Sequence, residues 1–236
     1  MASAVKGFPE RFPVRDDDRR PARYWIAASL GREYLRLLAW RRTRVEGEHN
    51  VPDGGPLLVA SNHTSNRDPM VLGAYFPHTL FAMAKREMYV NRVAAWFLAG
   101  CNCIPVDRGS ADRRAVSRAL DVLRRGRRLL IFVEGTRSRD GTMHRAEAGI
   151  GFLARKSGAM VLPVAISGTD GEGRRRGILR RREIVLTYGE PFAVDPTAAG
   201  GDAAIAEQVA ERIAALLPPS RRGVYSAAAP GLPAAR

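Results

Sequence analysis

The stretch Ser110-Ala-Asp-Arg-Arg-Ala-Val-Ser-Arg-Ala-Leu-Asp-Val-Leu-Arg-Arg-Gly-Arg-Arg-Leu-Leu-Ile-Phe-Val-Glu134 reads as an amphipathic helix followed at once by a strand. Ala115, Val116, Ala119, Leu120 and Leu123 share one face at helical spacing, which predicts a helix over Ala111 to Arg125, with Ser110 placed to cap it and Gly126 to end it. The unbroken apolar run from Arg128 to Glu134 then predicts a strand. The same rhythm extends in both directions. Upstream lie Pro56 to Ser61, Met70 to Phe76, Thr79 to Lys85, a helix near Arg92 to Ala99, and Cys103 to Asp107. Downstream lie a helix near Gly149 to Ser157, the runs Val161 to Ser167 and Glu183 to Glu190, and a helix from Asp202 to Leu217 that stops at Pro218. Strands alternating with helices predict an α/β fold with a largely parallel central sheet flanked by helices.

Length and composition set the frame. A chain of 236 residues, 45% hydrophobic and 26% charged, suits one sizeable domain, placed here at 46–217. Residues 1–22, with Pro9, Pro13, Pro21 and mixed charge, read as a flexible arm, and the Ala/Pro/Gly-rich residues 218–236 as a disordered tail. Residues 23–45 read as an amphipathic helix with Ile26, Leu30, Tyr34, Leu37 and Leu38 on one side, Trp25 and Trp40 near the ends, and Arg41, Arg42 and Arg44 closing it. Such a helix either packs on the domain or lies in a membrane surface, and we assign it as membrane-facing. No uncharged apolar run reaches the ~18 residues of a spanning segment, so membrane contact is expected to be peripheral, at the cytoplasmic face. Two cysteines, Cys101 and Cys103, are too few for a disulfide framework and point to a reducing compartment.

The formal net charge of +14 implies attraction to a polyanion: nucleic acid, anionic lipid or a phosphorylated substrate. No helix-turn-helix, zinc or aromatic RNA-binding signature accompanies it, so nucleic acid is not expected as a partner. The arginines of Arg174–Arg176 and Arg180–Arg182 are expected to rest on anionic headgroups.

In parallel sheets, ligands gather at the carboxyl ends of the strands. Four strands here are followed by polar groups: Asn62 to Asp68, Asp107 and Arg108, Glu134 to Arg137, and Ser167 to Thr169. His63 and Asp68 stand five positions apart across a turn, where the carboxylate can fix one imidazole nitrogen and leave the other as a general base. Arg108 and Arg137 suit bidentate grip on a phosphate, Gly135 admits close backbone approach, Thr136 and Ser138 add hydroxyls, and Glu134 can hold an arginine or bind acceptor hydroxyls.

In combination and order, these blocks resemble the glycerolipid acyltransferase family, to which the 1-acylglycerol-3-phosphate acyltransferases belong. Asn62-His63 to Asp68 is similar to its His-x-x-x-x-Asp block, Lys85-Arg-Glu87 with Cys103 to Arg108 to its second, Glu134-Gly-Thr-Arg137 to its third, and Val161 to Thr169 to its fourth. The resemblance covers residues 46–192. It implies a glycerol-3-phosphate acyltransferase-like fold and direct acyl transfer, with His63 oriented by Asp68 as base and no acyl-enzyme. It further implies that Arg108 and Arg137 hold the acceptor phosphate, that Glu134, Gly135 and Thr136 shape the acceptor site, and that Pro163 belongs to the acyl pocket or its structure. The implied partners are an acyl thioester donor, either acyl-coenzyme A or acyl carrier protein, and a lysophospholipid acceptor, lysophosphatidic acid first, at an anionic membrane surface. Another lysolipid or a glycolipid is the alternative acceptor, and a basic nucleic-acid- or lipid-binding module without catalysis is the alternative outside enzymes.

Two departures stand out. Val133 occupies a position where the family often has proline, and Arg145-Ala-Glu147-Ala-Gly149 replaces the usual Lys-x-Gly stretch, which bears on acceptor or donor preference. Gly149-Ile-Gly151-Phe-Leu-Ala154 fits a dinucleotide fingerprint by letter, but no strand precedes it, so it reads as close helix packing. His49, His78 and His144 lack ligand spacing, and neither a metal nor another cofactor is expected.

Overall fold

A computed structural model describes residues 22–33, 41–107, 112–170 and 182–227. In chain order the elements are α1 (Ala22–Glu33), β1 (Arg41–Glu46), β2 (Leu57–Ser61), α2 (Asp68–Tyr75), β3 (Leu80–Lys85), α3 (Arg92–Gly100), β4 (Cys103–Val106), α4 (Arg113–Arg124), β5 (Arg128–Phe132), α5 (Ala148–Ser157), β6 (Met160–Ser167), β7 (Arg182–Tyr188) and α6 (Gly201–Leu216). The seven strands form one sheet in the order β1-β7-β6-β2-β5-β3-β4. β6, β2, β5, β3 and β4 are mutually parallel; β7 runs antiparallel to β6 and parallel to β1.

Both faces of the sheet are covered. On one, Leu58, Ala60, Leu129, Val161 and Ala165 meet Ala119, Leu123, Ile150, Leu153, Val209 and Ile213 from α4, α5 and α6. On the other, Leu57, Val59, Leu130, Leu162, Val164 and Ile166 meet Val71, Leu72 and Phe76 at α2. β2 is therefore buried along its whole length, as its unbroken apolar run requires. Each such Leu or Val contributes about 1.5–3 kcal/mol relative to exposure.

The helical reading of 23–44 requires correction. The helix ends at Glu33, residues 34–40 lie outside the described residues, and Arg41 to Glu46 form a strand in register with Arg182 to Thr187. A free edge of β7 offers a full ladder of backbone partners, and Thr43 and Val45 suit a strand better than a helix. In α1, Tyr24 and Ala28 are buried, and the Tyr24 hydroxyl accepts the Leu80 N–H. Trp25, Ile26 and Leu30 face solvent, each more than half exposed, so the side read as apolar is not the side that packs.

The α4 cap differs by two residues. Ser110 lies outside the described residues, and the Asp112 carboxylate accepts the Arg114 and Ala115 N–H groups. Residues 218–227 are not a tail: 3-10 turns at Pro219–Arg221 and Gly223–Tyr225 return to the domain and bury Tyr225. The arm 1–21 and the arginines at 174–176, 180 and 181 lie outside the described residues, while the backbone of Arg182 opens β7. No described helix is long and apolar enough to cross a membrane.

Candidate active site

β2 leads into α2 on one face of the sheet, whereas β5 leads into α5 on the other. Because β2 and β5 are neighbours, their exits diverge and open a crevice at the carboxyl edge, the place where α/β sheets hold ligands. His63 leaves β2 there, and Glu134 to Arg137 leave β5 beside it.

Asp68 opens α2, so its carboxylate points back over the turn that began at His63. Its Oδ2 accepts from Thr64 N and Ser65 N at 2.7 Å each, and from His63 Nδ1 at 2.9 Å. Thus the pairing proposed from sequence is a direct contact, made by a turn that folds around the carboxylate. The imidazole also stacks on Phe132, with ring centroids 3.9 Å apart and 17° between planes. Held on an edge and a face, the ring keeps one orientation. Nδ1 donates to the carboxylate, which leaves Nε2 with its lone pair and no hydrogen-bond partner among the described residues. His63 is 6% exposed, so its imidazole is held largely within the protein at the strand end.

Two residues that motif reading left without a role hold this turn in place. The Asn62 side chain, fully within the sheet edge, donates Nδ2–H to Ile166 O at 2.9 Å and accepts Ile166 N–H at Oδ1 at 2.8 Å. It pins the residue before His63 to β6 as a strand backbone would. Thr169, just past the end of β6, places its hydroxyl 3.2 Å from that of Thr64. Both stand at strand ends within the blocks of the resemblance, but the pairing spans more than a hundred residues and is invisible to local spacing.

Glu134 pairs with no arginine among the described residues; its two oxygens accept backbone N–H groups, Oε1 from His63 and Oε2 from His144, each at 3.0 Å. Burial pushes its carboxyl above the ordinary value, against the lowering pull of those two amides. Gly135 follows with φ +64°, a left-handed conformation that lets the chain turn out of β5 and carry Thr136 and Arg137 to the surface of the crevice. Thr136 and Arg137 are exposed, and the Arg137 guanidinium has no partner among the described residues. Arg108 lies outside the described residues; its neighbour Asp107 pairs with Arg86, joining the ends of β4 and β3.

Pro163 sits on the α6-facing side of β6, its ring against Gly189 and near Leu216. Its carbonyl accepts Gly189 N–H at 2.9 Å, and the neighbouring chain pairs again with β6 at the Val161–Phe192 bridge, so the missing Pro163 N–H falls between two hydrogen-bonded points. Cys101 and Cys103 form no disulfide, and burial pushes the Cys103 thiol up to about 12, far from a reactive thiolate.

A fixed imidazole with one open nitrogen at the carboxyl edge of the sheet, with Gly135 and the exposed Thr136 and Arg137 leaving the neighbouring strand, is suited to activating a hydroxyl of an anionic acceptor; Ser138 instead is buried and donates to Asp140. The comparisons agree with that chemistry. Residues 42–167 match the acyltransferase family model, and the chain belongs to that family of enzymes. Within it the resemblance is to the glycerolipid acyltransferases. The chain is 28% identical over 191 residues to the 1-acyl-sn-glycerol-3-phosphate acyltransferase of Streptococcus pneumoniae, covering 76% of this chain and 69% of that one. It is 33% identical over 162 residues to the lyso-ornithine lipid O-acyltransferase of Pseudomonas aeruginosa, covering 67% of this chain and 58% of that one. The fold matches a crystal structure of the 1-acyl-sn-glycerophosphate (LPA) acyltransferase PlsC from Thermotoga maritima with a TM-score of 0.65 and 27% identity, over 94% of this chain and 88% of that one.

Proposed function

We propose that the protein transfers a fatty acyl group from acyl-coenzyme A or acyl carrier protein to the free hydroxyl of lysophosphatidic acid, giving phosphatidic acid in phospholipid biosynthesis. The observation that carries this reading is the His63 imidazole fixed through Nδ1 by Asp68 with Nε2 open to the crevice. Nε2 takes the hydroxyl proton as the acceptor oxygen attacks the thioester carbonyl. The tetrahedral intermediate then collapses with breakage of the C–S bond, and the imidazolium returns its proton to the departing thiolate. No acyl-enzyme forms. Asp68 supports the transient imidazolium, Arg137 and Arg108 hold the acceptor phosphate, and Gly135 and Thr136 line its approach. The reaction takes place at the cytoplasmic face of a membrane, with the protein peripheral.

A second acceptor is favoured by one residue. Glu147 stands in the stretch where the resemblance expects lysine, is exposed, and lies against Gly135, its Cγ 3.1 Å from where a Cβ would stand. A carboxylate beside the acceptor site weakens the hold on a phosphate and suits a headgroup carrying an amine. The Pseudomonas aeruginosa relative named for lyso-ornithine lipid points the same way.

The test is thiol release from long-chain acyl-coenzyme A, repeated with acyl carrier protein, in detergent micelles with lysophosphatidic acid, a zwitterionic lysophospholipid and an amine-bearing lysolipid. Acceptor-dependent release with lysophosphatidic acid as the best acceptor supports the first reading; preference for the amine-bearing acceptor, reversed by Glu147→Lys, supports the second. Folded protein silent with every pair would sink both.

A further inference from the structure

The loop from Ser138 to Glu147 carries no regular structure, yet it supplies the groups that hold His63 from behind. Ser138 N–H donates to His63 O at 2.8 Å, and His144 N–H occupies the Glu134 oxygen opposite the one that binds His63 N–H. Loops are ordinarily the mobile part of a fold. The outer side of this loop is clamped by residues 218–226.

The clamp has backbone and side-chain parts. Met143 N–H donates to Arg221 O at 3.0 Å, and Val224 N–H donates to Met143 O at 3.2 Å, so Met143 is paired on both sides like a strand residue. Gly223, with φ +55°, lets this approach happen, because a Cβ there would stand 2.0 Å from Met143 O. The Arg221 guanidinium donates to Gly141 O at 3.0 Å and pairs with Asp170, just past the end of β6. The Tyr225 hydroxyl accepts Ala146 N–H at 3.0 Å while its ring is buried, and Arg222 donates to Ala215 O on α6. One loop thus has four ties to the strap, and the strap has ties to β6 and α6.

We propose that this C-terminal strap positions the base: Arg221 and Tyr225 act as positioning residues that fix His63 through the 138–147 loop and Glu134. The proposal rests on the assignment of His63 as the general base. Neither residue touches the reacting atoms; each removes freedom from the scaffold on which the imidazole stands. Misplacement of a reacting group by about 1 Å can cost on the order of 100-fold in rate, so a modest slackening of the loop is enough to be measured.

The experiment uses the full chain carrying Tyr225→Phe, Arg221→Gln or Arg221→Lys. Two readouts are taken below the melting transition of every variant: kcat and KM for acyl transfer, and hydrogen exchange of the amides in 138–147 followed by mass spectrometry. Tyr225→Phe and Arg221→Gln are expected to lower kcat by about tenfold with KM within about twofold, a tenth of the full misplacement effect. Arg221→Lys, which keeps a cation for Asp170 and a donor for Gly141, recovers part of the loss. Faster exchange across the loop accompanies each loss. Unchanged kcat and exchange in folded variants, or activity that falls only with the folded fraction, overturns the proposal. The exchange measurement needs no substrate. If the wild type is silent with all acceptors, the functional reading fails, and the strap is still judged by whether its loss frees the loop around His63.

Discussion

At the scale of single residues, the site is a set of backbone groups tied down by side chains. Asp68 accepts three N–H bonds on one oxygen, Asn62 mimics a strand, and Glu134 spends both oxygens on amides. Glu134 gives a test with a definite sign. Burial raises its carboxyl above the ordinary 4.5, so in the window just above that value the native state holds the proton that the unfolded chain has released. More protons bound in the native state means stability falls as pH rises through the window and levels off above the raised value. Urea unfolding of the wild type and Glu134→Gln across pH 4–8 is expected to show the wild type's stability, relative to the variant, declining from the acid end and then flat. A difference that grows with pH would mean that the two amides outweigh burial. The pair His63 and Asp68 was legible in sequence because a turn of this length brings its ends together. Glu134's true partners were not, because backbone amides from two distant segments leave no mark on residue type.

At the scale of elements, the α/β alternation was readable because buried strands such as Leu57 to Ser61 have no polar face to blur the pattern. The stretch from Arg41 to Arg44 misled for the opposite reason. Four residues, three of them arginine, carry no period, and only the distant β7 decides that they form a strand. The glycines of Gly149-Ile-Gly151 were read as close packing, and the structure gives the contact: a Cβ on Gly151 would stand 1.9 Å from the Asp202 carbonyl oxygen at the start of α6. Gly151→Ala must push α5 and α6 apart where Arg155 also pairs with Asp202. The expected cost is roughly 1–3 kcal/mol, the range for overpacking, read by urea unfolding. Gly149→Ala, with open space around its Cβ position, serves as the control and is expected to be neutral or slightly stabilising. Equal effects of the two substitutions would contradict this packing.

At the scale of the molecule, α2 and α3 follow successive strands that advance in one direction across the sheet, so right-handed crossovers put both on one face, with α1 packed on α2. Trp25, Ile26 and Leu30 on α1, Met88 and Val90 in the turn after β3, and Trp96 on α3 are all more than half exposed, on a chain of net charge +14. Exposed tryptophans with positive charge suit an anionic lipid surface. Replacing Trp25, Leu30 and Trp96 with serine is expected to reduce sedimentation with anionic vesicles at least tenfold while leaving the melting midpoint within a few degrees; undiminished binding would place the lipid contact elsewhere. The sequence showed the charge and the apolar residues of the first helix and suggested a membrane-facing side, but not the burial of Tyr24 and Ala28 against the domain, because periodicity does not say which neighbour a face meets. The most direct measurement for the whole account is acceptor-dependent thiol release from acyl-coenzyme A or acyl carrier protein by the wild type and by His63→Ala. Loss of the base is predicted to lower kcat by about 100- to 10,000-fold with the fold intact. Transfer that persists in folded His63→Ala protein would contradict the assignment of His63 as the base.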